Sequence, residues 1–133
     1  MKLTIILEKG EKVIWGRIDD IPNFLPTTFG QNTQEITDNL KMLIADHYVH
    51  EKNTFFDNIV VDTIEFDYAY DVSAFFAEFD AVKINSIAKK AGLNQGLLRQ
   101  YVASIKHPSK QQVEKIQKAV HELGKQLIEV QLC

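Results

Sequence analysis

Residues 84–108, INSIAKKAGLNQGLLRQYVASIKHP, decide how this chain is read. Ile84, Ile87, Ala88 and Ala91 fall at i, i+3, i+4 and i+7, which gives a first helix one apolar stripe. Asn85 stands where a side-chain oxygen caps a helix start by accepting from an amide two or three residues on. Gly92 follows the last periodic residue, where reversal of the chain needs a left-handed backbone that glycine adopts without a Cβ clash. Leu93 then fills the corner, and Asn94 caps a second helix running to about Ser104. There Leu98, Tyr101, Val102 and Ile105 repeat the apolar spacing. Asn94, Gln95, Arg99, Gln100 and Ser104 are left outward, with Lys106 just beyond. This is the pattern of a helix-turn-helix, and side chains of these types reach base edges and phosphates in a major groove. An ordinary helical hairpin with polar outer faces satisfies the same periodicity without nucleic acid.

Small Ala88, then Gly92, then Leu98 each answer a steric demand: close helix approach, a reversed turn, and a plug beneath the second helix. Over Ala88 to Tyr101 (AKKAGLNQGLLRQY) the chain resembles the phage-repressor class of helix-turn-helix domains. That resemblance implies that the second helix is the recognition helix, with Gln95 near its start as the leading base reader. Ile105 departs from the pattern, standing where a glycine is expected to close the recognition helix. Arg99, Lys106 and Lys89 are expected at phosphates, and Gln95 and Gln100 toward base edges. A dimer presenting two such helices one DNA turn apart implies a near-palindromic operator.

Charge supports the same division. The net of −3 conceals residues 1–80, with 6 Lys/Arg against 15 Asp/Glu (−9), and residues 81–133, with 9 against 3 (+6). Phosphate repels the first part and attracts the second. A chain of 133 residues, 45% hydrophobic, holds one domain or two small ones with a genuine core. It has neither an apolar run of membrane-spanning length nor a basic-then-apolar leader, so neither a membrane span nor a secretion signal is expected. The single cysteine, Cys133, forms no intramolecular disulfide, which suits a reducing cytoplasm.

Read in order, Lys2–Glu8 alternates as a strand, Lys9 to Glu11 turns, and Val13–Ile18 returns, giving a hairpin. Gly16 inside the second strand marks a close approach or a bulge. Pro22 and Pro26 confine a third strand to about Leu25–Phe29 near an edge. Asn32 with Glu35 opens a helix whose Ile36, Leu40, Leu43, Ile44, His47 and Tyr48 mark one face to about Glu51. Asp62–Tyr70 alternates as a half-buried strand. A short helix, Ser73–Phe79, carries Phe75, Phe76 and Phe79, expected to fasten two modules or fill a dimer contact. Ser109 with Gln112 opens a last helix with Val113, Ile116, Val120, Leu123, Leu127 and Val130 at spacings of three and four. That stripe suits either a helix closing its own core, interrupted at Gly124, or a seam against a partner subunit. The expected fold class is α+β: a small β-β-β-α-β sheet domain over residues 1–72, then an all-α helix-turn-helix domain over residues 73–133.

KLTIILEKG, then WGRIDDIPNFLPTTFG, then a helix about two residues on, resembles the HicB antitoxins over roughly Met1–Glu51. The match is to their partial ribonuclease-H-like domain, and some of that family carry a C-terminal helix-turn-helix. The resemblance implies an antitoxin that binds and occludes a small basic, mRNA-cleaving toxin of the HicA type. It also implies a dimer that represses its own operon by binding operator DNA. Asp19 and Asp20 are the candidate toxin contacts, carboxylates standing where phosphates would go. The alternative is a stand-alone regulator whose N-terminal domain serves dimerisation or ligand sensing. No cofactor is expected. Glu8, Asp19, Asp20, Asp62, Glu65 and Asp67 stand in no recognisable catalytic spacing, and His47, His50 and Glu51 are too few firm ligands for zinc. The sequence therefore points away from an enzyme.

Overall fold

Along β1 (Lys2–Lys9), Leu3, Ile5 and Leu7 are buried, while Thr4, Ile6 and Glu8 between them are partly exposed. The strand therefore has one core side and one wetter side. This computed structural model of the chain describes residues 1–133, and the fold it shows is mixed α+β. β1 pairs antiparallel with β2 (Ile14–Arg17), which pairs antiparallel with β3 (Thr27–Gly30). On its other side β1 pairs in parallel with β4 (Glu65–Tyr70), giving a four-stranded sheet in the order β3-β2-β1-β4. The hairpin between β1 and β2 closes through Gly10 N donating to Val13 O at 2.8 Å.

One face of the sheet carries α1 (Thr33–Glu51). Asn32 Oδ1 accepts from the Glu35 amide (2.8 Å), which satisfies one donor of the helix start, and Glu35 Oε2 reaches back past the cap to accept from the Gln31 amide (2.9 Å). Ile36, Leu40 and Ile44, one turn apart, enter a core with Leu3, Ile5, Leu7, Ile18, Ile21, Phe56 and Ile64. A Cβ built on Gly16 would overlap Cγ2 of Ile36, so the glycine in β2 is the gap into which α1 settles. Thr37, also buried, gives its hydroxyl proton to Thr33 O (2.8 Å) and therefore accepts from the Tyr68 hydroxyl (2.9 Å), pinning α1 to β4.

Three expectations for this part need correction. Leu43 is 38% exposed, because the face centred on Ile36, Leu40 and Ile44 leaves it at the margin. The third strand begins at Thr27, not Leu25: Pro26 lends only its carbonyl, to Ile18 N at 3.2 Å, and Leu25 points to solvent. Asp62 and Thr63 lie in a 3-10 turn (Val61–Thr63), so the fourth strand starts at Glu65.

By contacts the chain divides into two units, Met1–Ala74 and Phe75–Cys133, the division falling inside α2 (Val72–Glu78). Asp71 Oδ1 accepts from Ala74 N (2.6 Å) at the start of α2. Phe75 stacks edge-on against Phe76 and tilted against Phe79, both at 5.1 Å.

The second unit holds α3 (Ile84–Ala91), α4 (Gln95–Val102) and α5 (Lys110–Glu129), with α3 packed on both others. Ile87, Ala88, Leu98, Tyr101, Ile116 and Ala119 are its buried residues from these helices. Asn85 does not cap α3. The cap position is Lys83, which makes no side-chain bond to the helix, and Asn85 lies inside the first turn. Ser109 does cap α5, accepting from Gln112 N at 3.2 Å. Helix α5 runs unbroken through Gly124 to Glu129, which replaces the expected interruption there. Its apolar stripe outlasts the packing: Ile116 is 5% exposed, Leu127 62% and Val130 58%.

Candidate nucleic-acid interface

Gly92 has φ +69° and ψ 30°, the left-handed conformation that glycine takes most cheaply. Its amide donates to Lys89 O (3.3 Å) and the Leu93 amide to Ala88 O (2.9 Å), the paired bonds that close a helix end. Leu93 is half-buried at the corner, and the chain re-enters a helix after Asn94. There Asn94 Oδ1 accepts from Gly96 N (2.8 Å) and Leu97 N (3.2 Å). Two eight-residue helices are thus joined by Gly92, Leu93 and Asn94 alone.

The end of α4 departs from expectation. Ser104 takes the left-handed turn at φ +61°, its amide donating to Tyr101 O (3.1 Å) and the Ile105 amide to Gln100 O (2.9 Å). A serine does here what glycine usually does, and the helix stops at Val102. Ile105 is consequently 70% exposed and outside the apolar stripe that its spacing suggested.

With Leu98 and Tyr101 inward, the outward side of α4 presents Gln95, Gly96 and Arg99, with Gln100 half-buried at its margin. Gln95 is exposed at the first helical position. Asn94 is also exposed, but its oxygen is committed to the helix start. Arg99 is exposed and donates from Nη2 to Asn85 Oδ1 at 3.0 Å, linking the outer sides of α4 and α3. Lys89 lies one turn from Asn85 on the same side of α3, and Lys106 lies exposed in the segment after Ser104. Lys90 instead turns to α5, its Nζ 2.9 Å from Gln126 Oε1. Residues 81–113 contain no Asp or Glu, so no carboxylate of this stretch opposes the cations.

Sequence reasoning missed Asn85 and Gly96. The first was read as a cap, because an asparagine at a helix start usually is one. The second lacks a side chain and so carried no signal, yet it leaves the middle of the outward side low enough for a backbone to approach.

Asp19 and Asp20 lie in the other unit, after β2. Arg17 pairs with Glu8 and, at 3.1 Å, with Asp19. The hydrogen bond that the Arg17 guanidinium donates to Glu8 raises the Arg17 pKa above its ordinary value. Asp20 Oδ2 accepts from Thr4 N at 3.0 Å, just past the last β1–β2 pair, and so extends the ladder with a side chain. Both carboxylates are exposed but internally engaged. Cross-strand pairing puts Trp15 opposite Phe29 on the sheet face away from α1, rings 5.2 Å apart, 44% and 54% exposed. Lys2 pairs with Asp67 (3.3 Å). His47 stacks flat on Phe24 at 3.8 Å and meets Asn53 Nδ2 at 3.3 Å, while His50 faces Asp46. No three His, Cys, Asp or Glu side chains converge in ligand geometry.

No protein-family model, curated protein or solved structure matches the chain. No helix is long and apolar enough to cross a membrane.

Proposed function

We propose that the chain is a DNA-binding regulator in which α3 and α4 form a helix-turn-helix and α4 enters the major groove. One observation carries this reading: a glycine-closed, asparagine-capped turn sets α4 with Gln95, Gly96 and Arg99 outward beside Lys89, in a stretch free of carboxylates. The second unit holds 9 Lys/Arg against 5 Asp/Glu (+4) and the first 6 against 13 (−7), so only the second is attracted to a duplex. In the fuller form, the acidic unit neutralises a small basic HicA-like toxin while a homodimer of the chain represses the shared operon. Gel shifts with the duplex upstream of the gene test the first part. Binding should weaken steeply with salt, and Arg99→Ala, which neutralises one phosphate fewer, should flatten the log–log salt slope by about 0.9. Binding with an unaltered slope in that variant removes Arg99 from the interface. Adding the product of any short, basic neighbouring reading frame tests the second part, by co-purification.

A second reading is favoured by Asp19 and Asp20 being occupied at home, by Arg17 and Thr4, while Trp15 and Phe29 stay open. That face then suits an apolar contact better than a purely ionic one, as in a regulator without a toxin whose first unit dimerises. Absence of a neighbouring basic reading frame would decide for it.

A further inference from the structure

We propose that Asn85 is a positioning residue of the DNA interface, holding the Arg99 guanidinium ready for a phosphate. The inference rests on the reading of α3 and α4 as a DNA-binding pair and deepens it. Arg99 Nη2 donates to Asn85 Oδ1 at 3.0 Å, across 14 residues of sequence, the one side-chain hydrogen bond joining these two helices. Asn85 is free to do this because it lies inside the first turn of α3 and caps nothing. An exposed arginine samples many rotamers and loses that freedom on gripping a phosphate; an arginine already anchored has less to lose.

The donor inventory fits. A guanidinium has five N–H donors, and Asn85 accepts from one, leaving four for an anion. Lys89, one turn along the same side of α3, adds a second positive charge. The partner is an amide and not a carboxylate, in a stretch, 81–113, that has no carboxylate at all. An aspartate at this point would orient Arg99 equally well and cancel its charge. Asparagine orients it and leaves the charge whole.

That difference makes the test. Affinity for the upstream duplex is measured over a series of salt concentrations for the full chain, Asn85→Ala, Asn85→Asp, Arg99→Ala and the double Asn85→Ala/Arg99→Ala, with thermal melts alongside. Asn85→Ala should bind about fivefold more weakly, from the cost of ordering one long side chain, with the salt slope kept. Asn85→Asp should melt no lower than the unmodified chain, yet bind more weakly and with a shallower slope. Asn85→Ala added to Arg99→Ala should cost nothing further in affinity. Asn85→Asp binding like the unmodified chain, or Asn85→Ala acting equally with and without Arg99, overturns the inference while the DNA-binding reading stands. An unmodified chain that binds no duplex overturns both.

Discussion

Replacing Asn94 by alanine, serine and aspartate separates a helix cap from a base reader. One oxygen of this side chain takes two otherwise unpaired amides, of Gly96 and Leu97, at 2.8 and 3.2 Å. The site is exposed, so water recovers part of the loss in Asn94→Ala, and a cost of about 1 kcal/mol is expected. In a domain the size of the Phe75–Cys133 unit that lowers the melting temperature by about 4–8 °C. Asn94→Ser keeps a capping oxygen and should melt within about 2 °C of the unmodified chain. Asn94→Asp caps as well and gains from its charge at a helix N-terminus, but sets a negative charge beside the duplex. Melting is followed by circular dichroism, and affinity by gel shift at one fixed salt concentration. The cap role requires serine to restore both stability and affinity, and aspartate to restore stability alone. If serine melts as low as alanine, the oxygen seen at Gly96 and Leu97 is not what stabilises α4. If serine restores melting but not affinity, Asn94 reads the duplex after all.

Three further outcomes follow from the packing. Gly16→Ala drives a methyl group into Ile36 and should cost roughly 1–3 kcal/mol in urea unfolding, part of it recovered when Ile36→Ala is added; simple additivity of the two would place α1 farther from β2. Ser104→Gly should stabilise the chain by about 0.5 kcal/mol, since glycine relieves a left-handed backbone at φ +61°, less what it adds to the unfolded state; a loss in urea midpoint would argue against that turn. Asp20→Ala leaves the Thr4 amide without its acceptor and should cost about 1 kcal/mol, whereas Asp20→Asn keeps an oxygen there and should cost little. Equal urea midpoints for the alanine and asparagine variants would show that the bond to the Thr4 amide contributes nothing.

What the sequence disclosed was chemistry acting over a few residues. Gly92 with Asn94 located the turn between α3 and α4, and Asn32 with Glu35 located the start of α1, because caps and left-handed turns are made by near neighbours. Alternation in Lys2–Glu8 and in Asp62–Tyr70 marked strands, though not that β1 and β4 would lie side by side. Polar pairings distant in sequence stayed hidden. Asp20 with Thr4 and Arg99 with Asn85 are each settled by tertiary placement, and Asn85 had an obvious local use, as a cap, that turned out not to be its own. Ile105 was misplaced for a different reason: its spacing continues the stripe of α4, but Ser104 had already ended the helix. Gly124 misled in the opposite sense. A single glycine costs a helix only about 1 kcal/mol, and the burial of Ile116 and Ala119 outweighs it.

The parallel pairing of β1 with β4 sets a timetable for synthesis. The strand made first is central, and its partner on one side arrives only with Glu65–Tyr70, after the whole of α1. Until then Leu3, Ile5 and Leu7 wait on a strand with one edge bare, a state prone to pairing with other nascent chains. The later unit, built of neighbouring helices with short connections, has no such delay and can form as soon as it leaves the ribosome. A ribosome stalled before residue 65 would therefore hold an unfinished sheet, and release of β4 would be the step that commits the amino-terminal half to its native shape.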